Sequence, residues 1–253
     1  MFRTVVAVLW LAMLSYGSSV PVRHHEGLVH GFLTLRSLDG TLLADGDLIQ
    51  NVRGDKVTSR LVFHFKDGSL SDEVAVFSQR GTFHLLSDHV VQKGPAFTHP
   101  LDMRINGATG DVEVRYTEDG AEKSAHDRVK ATDGLANGIL LTLLKNLAPD
   151  TSEAKLSYVV ATPKPRLVTL LVSRNGKEPF RTGGTERSAA HFRIKIDLGG
   201  MTGLLASVFG KEPADQNVWI LEGEAPAFVK SESQMTPNGP MWRIELTSPS
   251  WGK

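Results

Sequence analysis

Lys56-Val57-Thr58-Ser59-Arg60-Leu61-Val62-Phe63-His64-Phe65 is the stretch that decides the fold. Val57, Leu61, Phe63 and Phe65 share one face, and Thr58, Arg60 and His64 lie on the other with Val62. A period of two is what a half-buried antiparallel strand requires. Residues 111–117 repeat it, with Val112, Val114 and Tyr116 set against Asp111, Glu113, Arg115 and Thr117. Turn chemistry separates such runs from His30 to Val129: Asp39-Gly40, Arg53-Gly54-Asp55, Asp67-Gly68, Lys93-Gly94-Pro95, Asn106-Gly107 and Asp119-Gly120. Gly, Asn and Asp tolerate the positive φ of tight hairpins, so the economical reading is a strand–turn–strand meander.

Further strand candidates follow: Lys155 to Ala161, Leu167 to Ser173, Arg187 to Leu198, Val218 to Glu222, Phe228 to Gln234 and Met241 to Thr247. Asn175-Gly176 and Asn238-Gly239 read as hairpin turns. Pro163 and Pro165 cannot donate to a ladder and mark an edge or a crossover.

Two segments break the alternation. Gly134 to Leu147 carries Leu140, Leu143, Leu144 and Leu147 at i, i+3, i+4 and i+7, the stripe of a helix, with Asp133 placed to cap it and Pro149 to stop it. Met201, Leu204, Leu205, Val208 and Phe209 form a second stripe between Gly199-Gly200 and Gly210. Helices this short are marginal alone in water, so each must dock on something apolar. An antiparallel sheet with one apolar face must in turn cover that face. The expected body is mainly β: a strongly curved antiparallel sheet or open barrel with one or two short helices over its concave side.

The first residues speak to location. Arg3 supplies a positive start, Val5 to Leu14 is an unbroken apolar run, and Tyr16-Gly17-Ser18-Ser19 supplies small residues. The run is about ten residues, against about twenty needed to span a bilayer, so it reads as a cleaved export signal rather than an anchor. The expected division is a signal peptide over 1–19, a flexible lead-in over 20–29, one β-rich domain over 30–248 and a C-terminal tail over 249–253. Export to a periplasm or beyond the cell follows. The chain has no cysteine. A core formed by about 230 residues can do without disulfides. The lack of cysteine, with no Asn-x-Ser/Thr sequon, favours a bacterial envelope.

Lys plus Arg and Asp plus Glu number 28 each. A chain so balanced has no electrostatic footprint for nucleic acid.

The phrases spanning 133–146, 161–166, 217–230 and 239–246 (Gly-Pro-Met-Trp-Arg-Ile-Glu-Leu in the last) resemble a group of uncharacterised exported bacterial proteins. More distantly, the layout is similar to the periplasmic lipoprotein-carrier architecture, in which a half-barrel wraps an apolar cavity under helical lids. The resemblance implies the curved-sheet fold, and no catalytic residues are carried over from it.

Signatures of chemistry are sparse. His25-Glu26 followed by His30 is one residue too long for a zincin pair. His84 and His89 sit at odd spacing, which in a regular strand sends them to opposite faces. Asp45-Gly46-Asp47 and Glu222-Gly223-Glu224 lack the further oxygens that calcium needs. There is no Gly-x-Ser-x-Gly elbow and no phosphate loop. No catalytic residue, metal ligand or cofactor is assigned. A cleft gathering His64, His84, His126 or His191 with a carboxylate would point to a hydrolase instead.

The apolar stripes carry the functional expectation. Leu140, Leu143, Leu144, Leu147, Met201, Leu204, Leu205, Val208 and Phe209 either fill a core or line a cavity for an apolar ligand, such as a lipid or a lipidated segment. The alternative is an assembly or scaffold module with a filled core that meets an envelope protein through its loops and edges. Trp219, Trp242 and Phe228 read as core anchors, and Trp251 as a contact for a partner.

Overall fold

The structure, a computed structural model, describes residues 18–118, 120–130, 133–161, 164–182, 184–198 and 213–247. The stripe from Met201 to Phe209, Trp251 and the apolar run of the leader lie outside the described residues. Fourteen strands follow in order: β1 (Val29–Ser37), β2 (Leu42–Arg53), β3 (Lys56–Phe65), β4 (Leu70–Arg80), β5 (Thr82–Lys93), β6 (Leu101–Asn106), β7 (Asp111–Glu118), β8 (Ala121–Arg128), β9 (Glu153–Val160), β10 (Arg166–Thr182), β11 (Thr185–Asp197), β12 (Gln216–Leu221), β13 (Ala227–Gln234) and β14 (Met241–Thr247). Among the described residues one helix, α1 (Leu140–Asn146), lies between β8 and β9.

All strands join one curved, unclosed antiparallel sheet in the order β8-β7-β6-β5-β4-β3-β2-β1-β14-β13-β12-β11-β10-β9. Two meanders are thus sewn together at their ends, where β1 pairs with β14. The two outermost strands, β8 and β9, are neighbours in sequence. The segment carrying α1 crosses from one to the other.

Alternation decides which face is inside. Leu33 and Leu35 of β1, Val57 and Phe63 of β3 and Phe77 of β4 fall into a single buried cluster. Phe192 and Ile194 of β11 and Leu143 and Leu144 of α1 belong to it too. Four phenylalanine rings of this interior, Phe63, Phe77, Phe83 and Phe192, are no more than 2 % exposed. The hollow is therefore filled with side chains where the description reaches. Phe65, Phe97 and Trp242 close one end as an aromatic triad, with centroids 5.3 to 6.2 Å apart. Phe228 and Trp242 join this core as anticipated, whereas Trp219, though buried, lies on the outer face of the sheet.

Four local readings are corrected. The helix begins at Leu140, not Gly134, and its N-cap is Ile139 with no side-chain cap. Gly138 adopts φ +63°, a left-handed turn that a continuous helix cannot contain. Asp133 lies instead 3.7 Å from His84. Asn175-Gly176 is not a hairpin but a bulge within the long β10, where these two residues oppose His191 alone and Gly176 takes φ +89°. A second bulge, at Leu86, puts His84 and His89 on the same outer face, because Phe77 pairs with Leu85 while Val76 pairs with Ser87.

The fourth concerns the lead-in expected to be flexible over 20–29. Val20 is 3 % exposed, and its carbonyl accepts the N–H of Phe83. Ser18 N–H donates to the Lys155 carbonyl of β9, and Val22 N–H to that of Gly81. The backbone N–H groups of Arg23 and His24 both donate to Asn146 Oδ1 at the end of α1. These partners are far away in sequence, which is why local pattern does not reveal the strap. Its clasp is an ion pair, Lys145 Nζ to Glu26 Oε2 at 2.7 Å, with side chains only 15 % and 6 % exposed. Stranding one buried charge is costly, whereas replacing both by apolar groups is often neutral. Lys145→Met alone should therefore lower stability by about 2 kcal/mol. Glu26→Leu with Lys145→Met should restore most of it. Thermal unfolding of the three proteins measures the difference.

Candidate functional site

Outward-facing residues of β1, β14, β13 and β12 form the floor of a groove of about 570 Å³. The pairing of β11 with β12 ends at Ala189–Leu221, so the distal half of the β10–β11 hairpin extends past the sheet and walls the groove with Glu178, Phe180, Arg181 and Arg187. Thr34 and Arg36 face this side because Leu33 and Leu35 face the core.

Trp219 organises the floor. Val218 and Ile220 point into the core, so Trp219 points out, directly across from His191 on β11 and Lys230 on β13. The His191 ring stacks on the indole at 4.4 Å and 4°. On the indole face sits Lys230 Nζ, 4.0 Å from the ring centre, a cation–π contact. A bulge at Val229 makes this possible, since it allows Lys230 to face outward and Phe228 inward. His191 Nε2 is 2.8 Å from Asn217 Oδ1, which makes it the protonated nitrogen and leaves Nδ1 to accept from Asn175 Nδ2 at 3.3 Å. Glu178 Oε1 lies 3.1 Å from that same Nδ1, so it accepts a hydrogen bond only when the ring carries a proton on both nitrogens.

The charges are unequal. Arg36 pairs with Glu245 and Arg181 with Glu186. Among the described residues, neither Lys230 nor Arg187 has a carboxylate within ion-pair distance. The groove thus sets two uncompensated cations beside Phe180, Leu221 and Val229. Trp219 Nε1 is buried with no acceptor.

A second cluster lies inside the sheet. Ser71, Glu73, Ala75 and Phe77 alternate onto the inner face of β4, so Glu73 points inward among apolar residues. On β5, Phe83 and Leu85 face in. Regular alternation would then turn Asp88 out, but the bulge at Leu86 shifts the phase and sends Asp88, Val90 and Gln92 into the core. Gly107 maintains that bulge: its N–H donates to the Leu86 carbonyl at 3.0 Å, and a Cβ there would collide with the Leu85 carbonyl oxygen.

Asp88 is 2 % exposed, and among the described residues its carboxyl meets no side-chain donor, only the backbone N–H of His89. Burial, then the neighbouring Glu73 charge, pushes its pKa well above the carboxylate range. Burial raises Glu73 to about 7, against the pull of a hydrogen bond from the Gly138 backbone. Burial and these two carboxyls together raise the phenol of Tyr158 on β9. No group of three or more His, Asp or Glu able to hold a metal occurs among the described residues. Asp88 is buried and Glu73 half-buried, so this pair holds its protons within the packed side of the sheet.

The helix residues proposed from the sequence to meet a ligand are placed as follows. Leu143 and Leu144 are 1 % exposed in the core, and Leu140 and Leu147 are half-buried against it. The groove was not foreseen from the sequence, because its residues come from distant strands. Glu73 was legible: a carboxylate in phase with Ala75 and Phe77 is a signal. Asp88 was not, since its phase depends on a bulge.

No helix among the described residues is long and apolar enough to cross a membrane. No family model matches the chain, and no curated protein matches it. Among solved structures it is similar to the hypothetical lipoprotein YmcC from Escherichia coli (K12), at 10 % identity and a TM-score of 0.38 over 88 % of this chain and 86 % of that one.

Proposed function

We propose that this is an exported, non-catalytic binding protein that takes an apolar ligand with an acidic head, such as a fatty acid or an anionic lipid, in the groove over Trp219. Export is read from the leader-like run Val5 to Leu14. The observation that carries the ligand class is the pair Lys230 and Arg187, two cations without carboxylate partners beside an apolar floor. An anionic head would satisfy them, and a hydrocarbon chain would cover Leu221, Val229 and Phe180 at about 0.8 kcal/mol per buried methylene. The volume falls within the range of small-molecule sites. The filled hollow beneath α1 argues for this outer face over the interior.

Titration with a fluorescent fatty acid tests the reading. Saturable binding should quench tryptophan emission. Lys230→Glu should weaken it at least tenfold, about 1.4 kcal/mol. Val229→Trp, which fills the groove, should abolish it while the circular dichroism spectrum is retained. Absence of uptake by the wild-type protein, or equal affinity in Lys230→Glu, overturns the proposal.

A further inference from the structure

The two outermost strands of the sheet are not alike. β9 is partly covered: Leu135 bridges Ser157 in parallel, Ala136 N–H donates to the Ser157 carbonyl, and Ser18 N–H donates to the Lys155 carbonyl. β8 pairs only with β7 among the described residues. Its eight residues are exposed except for Ala125 and Asp127, which are half-buried.

Which peptide groups point outward follows from the hairpin. Glu118 and Ala121 flank a two-residue turn and so form a hydrogen-bonded pair, and such pairs then recur at every second residue. Val129 N–H donating to the Gly110 carbonyl at 2.9 Å continues the same alternation. Odd-numbered residues of β8 are therefore bonded to β7. The N–H and C=O groups of Glu122, Ser124, His126 and Arg128 face away from the sheet.

The sequence of this edge, Glu122-Lys123-Ser124-Ala125-His126-Asp127-Arg128, is self-complementary when reversed about Ala125. In an antiparallel register centred there, Glu122 lies across from Arg128, Lys123 from Asp127 and Ser124 from His126, each twice by symmetry. The same register places the outward peptide groups directly opposite one another. A shift of two residues one way puts Glu122 across from His126, and the other way Ser124 across from Arg128, and in both the pairs Glu122–Arg128 and Lys123–Asp127 are lost. Charges on a sheet edge ordinarily discourage pairing. Here they favour the register centred on Ala125 over those two residues to either side.

We propose that two copies of this chain join their β8 edges, antiparallel about Ala125, continuing one sheet into the next. Such an interface is isologous and closes at two subunits. Arg128 already meets Asp111 at 2.7 Å, with its side chain 70 % exposed, and can accept Glu122 of the second copy as well. The groove over Trp219 lies on other strands and stays open in the dimer.

Sedimentation of the mature chain over a concentration series tests this. The wild-type protein should sediment with twice the monomer mass, and added salt should weaken the association. Asp127→Lys places lysines opposite each other at two points, and Lys123→Asp does the same with aspartates; each should weaken association at least tenfold. The swap Lys123→Asp with Asp127→Lys restores the matching and should restore the dimer. Ser124→Pro removes an outward N–H without touching the ladder to β7, and should give a folded monomer. A wild-type protein that stays monomeric at about 100 μM, or a dimer indifferent to Asp127→Lys and Ser124→Pro, overturns the proposal. Failure of the swap to rescue overturns the register.

Discussion

Gly138→Ala is expected to lower the stability of the folded chain by about 3 kcal/mol. Two effects add. Gly138 has φ +63°, where a side chain costs about 1 kcal/mol in backbone strain. The added Cβ would also lie 2.5 Å from Ala75 Cβ and 2.6 Å from Asp88 Oδ1. Neither neighbour can give way cheaply, since Ala75 is 1 % and Asp88 2 % exposed in close-packed surroundings. The damage would spread, because Gly138 also donates to Glu73 and leads directly into α1. Gly54→Ala supplies the control: φ is +60° there, but nothing lies within 4 Å of a Cβ. It should cost only the backbone part, about 1 kcal/mol. Urea unfolding of the two variants measures both terms, and equal losses would refute the packing argument.

The ease with which this fold can be read depends on how far each determinant lies along the chain. The strand from Lys56 to Phe65 was legible to the residue, because its alternation is unbroken and Arg53-Gly54-Asp55 and Asp67-Gly68 bound it. The meander followed from the same two local signals. Asn175-Gly176 misled because positive φ serves a bulge as well as a hairpin, and what distinguishes the two is whether β11 continues past it. The helix stripe over-read its start for a related reason: Leu135 and Ile139 are apolar and in phase, yet they are buried by a turn and by the bridge to Ser157. The groove was least legible of all. Trp219 reads locally as a buried anchor, which it is, but its stacking on His191 and its contact with Lys230 exist only once β11, β12 and β13 stand side by side. Likewise, nothing near Ser87-Asp88-His89 announces an inward carboxylate, since the phase change depends on the N–H of Gly107, one strand away.

That inward carboxylate makes the fold more stable in mild acid than above neutrality. The sign follows from the two states. Unfolded, Glu73 and Asp88 titrate near 4. Folded, Glu73 titrates at about 7 and Asp88 well above its ordinary value, so the native chain holds protons that the unfolded chain has released. Stability from these groups is complete below the unfolded values and is lost as pH rises toward the folded ones. The Glu73 shift alone corresponds to roughly 3 kcal/mol at 1.36 kcal/mol per unit. Its partial exposure admits screening, so a loss of about 2 kcal/mol between pH 5 and 8 is the expected result. The informative quantity is the difference from a variant. Glu73→Gln with Asp88→Asn keeps the shape of both side chains and removes their protons. Its stability curve should be flatter than the wild-type curve by that amount, with the two crossing so that the variant is the more stable protein at pH 8. Parallel curves would mean that the two carboxyls ionise as freely in the fold as in the unfolded chain, and that the interior of β4 and β5 is wetter than its packing indicates.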